Sequence, residues 1–260
     1  RKEIIGDGKM KTDVELGGKF AQLRWNLSRQ DRTRYLDVGT SVAVALDKVA
    51  YAMLPGQSEQ ELATLLRQES LAVGVAANVA LVAADERVFE YRHPLPTSRK
   101  LLRYALLAIA GEKYGLHASA TRLVHFGEPP AELKARHNAV AMVDAAFISA
   151  TRPGATIGKV FETGQRAYRE VGFADEWQRH HQGGLAGYVG REIRATAASS
   201  ERVNAGQAFA WNPSIAGTKS EDTILVGAEG NTVVTQSPIF PRSKVEYGGV
   251  VLERCDILVR

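Results

Sequence analysis

FAWNPSIAGTKSEDTILV, residues 209–226, is the stretch that decides the fold of this chain. This stretch predicts two strands, over 207–212 and 222–226. The first ends in a run of the form F-x-x-x-P, turn residues follow, and the second lies in the run S-E-D-T-I-L-V. Alternation along the first strand turns Trp211 away from its neighbour Asn212 and into the core. The segment therefore predicts a pair of neighbouring strands in a sheet.

Two similar halves are visible along the chain, and this strand pair belongs to the second. In the first half, a capping signal at Ser28 begins a long helix that Pro55-Gly56 stops, and a capping box at Ser58 begins a shorter helix. In the second half, a helix over 131–150 stops at Pro153-Gly154, and a shorter helix over 160–170 follows.

Strand-like runs follow each helix pair: 76–83, 104–110 and 118–124, then 207–212, 222–226 and 232–236. The two Pro-Gly stops lie 98 residues apart. We therefore expect an α+β fold in which pseudo-twofold, duplicated helix-helix-strand halves surround a curved antiparallel sheet.

Composition limits the class of protein. Of the 260 residues 45% are hydrophobic, and 33 Lys plus Arg stand against 29 Asp plus Glu. These charges are scattered, without the basic stripe of a nucleic-acid-binding protein, and no apolar run reaches the roughly 18 residues of a membrane span. We expect neither nucleic acid nor membrane as a partner. Cys255 is the only cysteine, which excludes an internal disulfide and fits a cytoplasmic protein.

Residues 1–19 hold four glycines and lack helical periodicity, which is typical of an extended leader or of the tail of a preceding domain. The chain also begins at Arg1 rather than at a methionine. We expect an N-terminal domain that is missing here, followed by a single domain over residues 20–260.

The motifs, read in order, resemble the pita-bread superfamily of M24-type peptidases, which includes methionine aminopeptidase, aminopeptidase P, prolidase and creatinase. The resemblance covers about residues 25–240. Its anchors are RHPLPTSRKL (92–101), LLAIAGEKYGLHASATR (106–122), HHQGG (180–184) and the strand pair quoted above. It implies a pita-bread fold, in which two similar halves enclose a central site.

Five side chains hold two divalent metal ions in that superfamily. By resemblance, its two aspartate positions correspond to Ala108 and Ser119, its histidine position to His181, and its two glutamate positions to Asn212 and Glu221. The resemblance therefore implies a degenerate metal site.

Charge decides what these replacements mean. Two divalent ions would face the single carboxylate of Glu221, an imbalance that costs on the order of tens of kcal/mol in a low dielectric. We therefore expect no cofactor. The alternative is one divalent metal (Zn, Mn or Co) on His181 and Glu221, with His117 as a third ligand because it should share a strand face with Ser119.

The remaining polar residues predict a metal-free site. Creatinase keeps the fold without a metal and uses a histidine as general base, and His93 resembles that base in position. Our hypothesis is that His93 moves a proton, while Glu221 and His181 orient the substrate or a water molecule. An adjacent glutamate would also favour the charged form of His93.

Three further residues are expected to bind the substrate. Tyr188 occupies the place of a second histidine of the superfamily, and with Asn212 it would exchange hydrogen bonds. Arg191 is the third and would bind a substrate carboxylate; Arg194 follows three residues later, and for both arginines an ordinary surface position is the alternative. For the whole set, the alternative is a hydrogen-bond network without catalysis.

Three functions follow from this pattern. The first is a metal-independent hydrolase or lyase acting on a small C–N compound, with a small-molecule or short-peptide substrate. The second is an Xaa-Pro-type metallopeptidase with unusual ligands, and the third is a non-catalytic pita-bread binding module. Because the aminopeptidase P and creatinase branches carry an N-terminal domain that helps to build a dimer, the resemblance also implies a homodimer.

Overall fold

A computed structural model gives the architecture and describes residues 4–6, 13–15 and 17–260. The predicted leader over residues 1–19 falls largely outside these residues. Its described parts are the strands β1 (Ile4–Gly6) and β2 (Asp13–Glu15), which pair in parallel, and the start of helix α1 (Gly17–Trp25).

Each half of the chain is a pair of helices followed by strands, as the sequence predicts. The first half contains α2 (Arg29–Ala52), α3 (Glu59–Ala72), β3 (Ala76–Ala84), the short helix α4 (Glu86–Glu90), β4 (Tyr104–Lys113) and β5 (Leu116–His125). The second half begins with α5 (Ala131–Ala150), α6 (Ile157–Glu170) and a turn of 3₁₀ helix (Glu176–Arg179).

The strands of the second half are shorter and more numerous. They are β6 (Gly183–Ala186), β7 (Ile193–Arg194), β8 (Ala208–Trp211), β9 (Ser214–Ile215), β10 (Thr218–Lys219), β11 (Asp222–Val226) and β12 (Asn231–Val233). The chain then continues through the hairpin of β13 (Arg242–Tyr247) and β14 (Val250–Cys255) to β15 (Ile257–Val259).

Helix starts lie where the capping residues predict them. The Ser28 side chain accepts a hydrogen bond from the Asp31 backbone N–H, and Ser58 forms a complete capping box with Glu61. The Thr156 side chain accepts from the Lys159 backbone N–H at the start of α6, as Ser28 does at the start of α2. Each cap satisfies backbone donors that the first helical turn leaves without a partner, which fixes the point where the helix begins.

Backbone hydrogen bonds confirm the duplication. Gly56 N–H donates to the Leu101 carbonyl at 2.8 Å, and Gly154 N–H donates to the Val203 carbonyl at 2.9 Å. The two donors are 98 residues apart, as the two Pro-Gly stops are. The same loop geometry therefore follows the long helix of each half.

Two sheets form the centre of the molecule, and the α+β pita-bread architecture is confirmed. The order is β15-β5-β4-β3 in one sheet and β12-β11-β8-β6-β7 in the other. All pairings within them are antiparallel except that of β15 with β5, which is parallel. The pattern analysis did not predict β15 or the β13–β14 hairpin.

Each sheet has its own apolar core against its own helices. Val42 and Leu46 of α2 pack with Leu107 of β4, whereas Phe147 of α5 stacks on Trp211 of β8 with ring centroids 4.6 Å apart. Trp211 is therefore a core residue, as alternation predicts. No helix among the described residues is long and apolar enough to cross a bilayer.

The two halves meet where β5 passes β11. Thr121 N–H donates to the Glu221 carbonyl at 3.0 Å, and the Thr223 hydroxyl donates to the Ser119 carbonyl at 2.9 Å. Thr223 also accepts from the Ser119 N–H at 2.8 Å, which completes a two-way link between the strands. The site residues of both halves are therefore held at one junction.

A buried charge network supports this junction. Arg254 of β14 donates to Asp144 of α5 at 2.5 Å and to Asp222 of β11 at 2.7 Å, and Arg122 of β5 donates to Asp222 at 3.1 Å. All four side chains are at most 2% exposed. Within this network, the two arginines stand against the two carboxylates.

Replacement of Arg254 by methionine should lower the free energy of unfolding by about 3–5 kcal/mol, because Asp144 then loses the one cation that pairs with it among the described residues. Urea denaturation of both proteins measures this. The control is Arg242→Met in the same hairpin, whose exposed pair with Glu253 should contribute less than about 1 kcal/mol. Equal losses in the two variants would contradict a structural role for the network.

Candidate active site at the junction of the two halves

One cavity of about 260 Å³ lies beside the β5–β11 junction. All five positions that correspond to superfamily metal ligands line it: Ala108, Ser119, His181, Asn212 and Glu221. Chain segments far apart in sequence thus converge as the resemblance implies. His93, Arg191, Arg194 and Lys219 line the same cavity.

Glu221 is the only carboxylate among the described residues that line the cavity, and two cations pair with it. Lys219 Nζ lies 3.1 Å from Oε2, and an Arg191 guanidinium nitrogen lies 3.3 Å from Oε1. The Thr121 hydroxyl donates to Oε2 at 2.6 Å. Both carboxylate oxygens are therefore already engaged by donors of the chain itself.

These contacts keep Glu221 ionised. Burial alone would raise the pKa of its carboxyl, but Lys219, Arg191 and the hydrogen bond from Thr121 outweigh burial and hold the pKa at about 2. The side chain is a permanent anion at neutral pH and is neutralised within the protein.

Lys219 is one site residue that was not predicted from the sequence. It lies at the end of β10, two residues before Glu221, and is 4% exposed. In an extended segment, residues i and i+2 lie on the same face. Because Glu221 was already a candidate site residue, the two-residue spacing in T-K-S-E-D was enough to predict that Lys219 lies beside it.

Arg191 enters the cavity from the loop between β6 and β7. Its guanidinium donates to the Gly190 carbonyl at 2.6 Å and lies 3.4 Å from the Ser119 hydroxyl, while its Nε is buried without a hydrogen-bond partner. Burial lowers the pKa of Arg191, although Glu221 opposes the change. Arg194, by contrast, is exposed at the mouth of the cavity. The alternative of an ordinary surface position is thus wrong for Arg191.

Three histidines cluster at the other side of the cavity. The ring centroid of His93 lies 5.4 Å from that of His181 and 5.2 Å from that of His180. His180, whose Nε2 lies 2.7 Å from the Ser214 hydroxyl oxygen, was not predicted as a site residue, although it neighbours His181 in the chain.

All three rings are neutral at pH 7. Burial, reinforced by Arg191, lowers the pKa of His181 to about 4, and burial, reinforced by Lys219, lowers that of His180 to about 2. Burial and Lys219 also lower the pKa of His93 and outweigh the opposing effect of Glu221. Glu221 does favour the charged form of His93, as expected, but burial and the neighbouring cations outweigh it, so the net effect on the pKa is downward.

Gln182 and the glycines after it hold the histidine segment in place. The Gln182 amide donates to the Trp177 and His180 carbonyls at 2.9 Å each. Gly183 adopts φ of +109°, and a Cβ there would lie 2.1 Å from the Ala210 carbonyl oxygen. Glycine is required at this point because the strand passes β8 too closely for any side chain.

The structure brings most, but not all, of the predicted site residues together. Asn212 follows β8, and its buried Oδ1 has no hydrogen-bond partner. Tyr188 lies outside the cavity, against Gly115, and is not in place to bind a ligand there. His117 also lies outside the cavity, with Nε2 3.7 Å from the Glu112 carboxylate, so it is not a third metal ligand.

The divalent metals of the superfamily do not fit these residues. The lone pairs of Glu221 that would bind a metal accept from Lys219, Arg191 and Thr121 instead. Among the described residues, no group of three or more His, Cys, Asp or Glu side chains is arranged to hold a metal ion. The cavity instead has an excess of cationic side chains.

Comparison with known proteins fits this geometry. The model of metallopeptidase family M24 matches residues 34–250. The chain belongs to metallopeptidase family M24. An uncharacterised peptidase of Staphylococcus aureus is 25% identical over 248 residues, covering 90% of this chain and 69% of that protein. An uncharacterised peptidase of Staphylococcus epidermidis is 27% identical over 153 residues, covering 55% of this chain and 43% of that protein.

Solved structures of M24-like fold superpose on most of this chain. The dipeptidase PepE from Mycobacterium ulcerans gives a TM-score of 0.82 at 19% identity, covering 98% of this chain and 70% of that one. The prolidase from Pyrococcus furiosus gives a TM-score of 0.79 at 16% identity, covering 87% of this chain and 71% of that one. At these identities the likeness establishes the fold alone.

Replacement of Glu221 by glutamine should lower the free energy of unfolding at pH 7 by about 3 kcal/mol. This energy corresponds to the lowering of the Glu221 pKa from its usual 4.5 to about 2 in the folded protein. Because the folded-state pKa is depressed, this stability is fully present above pH 4.5 and is lost as the pH falls toward 2. The difference between the two proteins should therefore shrink over that window in urea denaturation.

The control for this experiment is Glu132→Gln, which removes an exposed carboxylate paired with Arg136 and should change stability by less than about 1 kcal/mol. A Glu221→Gln difference that stays constant between pH 5 and pH 2.5 would refute the strong interaction of Glu221 with its cations.

Proposed function

We propose that this chain is a metal-independent hydrolase or lyase that cleaves a C–N bond in a small compound. The observation that carries the proposal is the pairing of Glu221 with Lys219 and Arg191 at 3.1 and 3.3 Å. These side chains supply the positive charge that metal ions supply elsewhere in family M24. Membership of that family and its peptidase relatives support a hydrolytic reaction.

Electrostatics favours this proposal over a metallopeptidase with unusual ligands. Two unit charges 4 Å apart interact by about 4 kcal/mol at an effective dielectric of 20, so a divalent ion beside Lys219 would meet a repulsion on the order of 8 kcal/mol. Arg191 would add to that repulsion. Among the described residues that line the cavity, only the carboxylate of Glu221 offsets it.

His93 is the proposed general base. Its lowered pKa keeps the ring neutral at pH 7, so that it accepts a proton from a water molecule or from the substrate. Its position at the mouth, stacked on His181, gives it access both to solvent and to a ligand in the cavity. The unpartnered Nδ1 of His181 then orients the reacting groups.

Lys219 is the proposed electrophilic group. Cleavage of an amide-like C–N bond by water places negative charge on the carbonyl oxygen in the transition state. Fixed cationic donors aimed into a water-poor cavity stabilise such charge without reorganisation. Glu221 holds Lys219 and Arg191 in position and is in this sense a positioning residue rather than the base.

Replacement of His93 by alanine should lower kcat/KM at least 100-fold, the usual contribution of a general base, and activity should persist in EDTA. A panel of small amides, ureas, guanidines and dipeptides, including Xaa-Pro dipeptides, provides the assay, with release of the amine as readout. Because the pKa of His93 is lowered, activity should be retained below pH 6.5 and decline only at more acidic pH.

His117→Ala is the matched control, because it removes a histidine that lies outside the cavity, and its turnover should equal that of the wild type. Turnover that EDTA abolishes would favour the metallopeptidase, and unaltered turnover in His93→Ala would exclude His93 as the base. An absence of turnover on the entire panel, with a folded protein, would favour the non-catalytic binding module.

A further inference from the structure

The walls of the cavity carry an excess of positive charge. Three cations, Arg191, Arg194 and Lys219, line it against the single carboxylate of Glu221. The histidines add no charge, since the pKa of His181 is about 4 and that of His93 is lowered. Two positive charges thus remain without an anionic partner among the described residues of the lining.

Three buried polar atoms along this lining have no hydrogen-bond partner: Arg191 Nε, His181 Nδ1 and Asn212 Oδ1. Buried polar groups normally find partners, because an unmade hydrogen bond costs about 1–3 kcal/mol. Arg191 Nε is a donor, and His181 Nδ1 is a donor in one tautomer. The Asn212 side chain presents its NH2 group at the same place when the amide oxygen and nitrogen are exchanged. Each of the three can therefore donate to an anionic ligand in the cavity.

The opposite wall is apolar. Val79 and Leu81 of β3 and Ala108, Ile109 and Ala110 of β4 line it. The cavity is thus suited to a ligand with a short hydrocarbon chain between polar ends. Its volume of about 260 Å³ lies just below the roughly 300–1,000 Å³ of pockets for drug-sized ligands, so the ligand is small.

We propose that the cavity recognises a small dicarboxylate, with one carboxylate on Arg191 and Asn212 inside the cavity and the other near Arg194 at its mouth. The hydrocarbon chain lies against Val79, Leu81 and Ala108. Two negative charges on the ligand match the excess of two positive charges in the lining. The inference rests on the proposed function in one respect: it takes the dicarboxylate to be the acidic part of the substrate whose C–N bond is cleaved.

Isothermal titration calorimetry at fixed low ionic strength tests the proposal without any turnover. Succinate and glutarate should bind at least tenfold more tightly than butyrate and pentanoate, which have the same chain lengths but one charge, since a charge-assisted hydrogen bond contributes about 1.5–3 kcal/mol. Binding should weaken as salt is added. Inorganic phosphate is the dianion without a carbon chain and should bind more weakly than glutarate.

Arg194→Gln should weaken succinate or glutarate binding about tenfold and leave butyrate binding unchanged, so that the preference for two charges disappears. Arg194 is exposed, so the variant is expected to fold, which a thermal melt checks. The matched control is Lys159→Gln on the exposed face of α6, which removes the same charge away from the cavity and should have no effect.

Equal affinity for mono- and dicarboxylates, unchanged binding in Arg194→Gln, or phosphate binding tighter than glutarate would each overturn the proposal. Tight dicarboxylate binding together with a complete lack of turnover would sustain it and count against the proposed catalysis instead. Turnover of a neutral amide without dicarboxylate binding would support the proposed catalysis and contradict the recognition of a dicarboxylate.

Discussion

The pairing of one buried carboxylate with two cations of the same chain is the interaction on which this site depends. Glu221 would be an unfavourable buried anion if it stood alone, and Lys219 and Arg191 would be unfavourable buried cations. Together they form a stable cluster with excess positive charge. That excess adds to burial in keeping the neighbouring histidines neutral, disfavours a divalent ion and favours the anionic ligand that we propose. One electrostatic arrangement thus accounts for three properties of the cavity.

The fold delivers these side chains from both of its halves. Thr121 of β5 binds the backbone and the side chain of Glu221, and Thr223 of β11 links back to Ser119. In the buried network, Arg122 of β5 pairs with Asp222 of β11, and Arg254 joins Asp222 to Asp144. A duplicated architecture with a separate core in each half therefore leaves a polar junction between them, and that junction is where the cavity forms.

Local signals were enough to predict the duplicated halves, because Pro-Gly stops and capping residues such as Ser58 fix the helix bounds. The resemblance located the ligand positions, which do converge. Neighbours brought in by tertiary structure could not be predicted in the same way: the field of Lys219 on His93 depends on distances that no sequence pattern contains. Tyr188 occupies the place of a superfamily histidine in the sequence, yet its side chain lies outside the cavity, against Gly115. Strand β15 escaped prediction because its three residues are too few to show a pattern.

A crystal structure of the unmutated protein grown with Mn²⁺ or Zn²⁺, with anomalous scattering collected at the metal edge, tests the central claim most directly. We predict that the Lys219 ammonium lies within hydrogen-bonding distance of Glu221 and that no anomalous peak lies beside that carboxylate. One or two metal ions bound to Glu221, with the lysine displaced, would contradict the account.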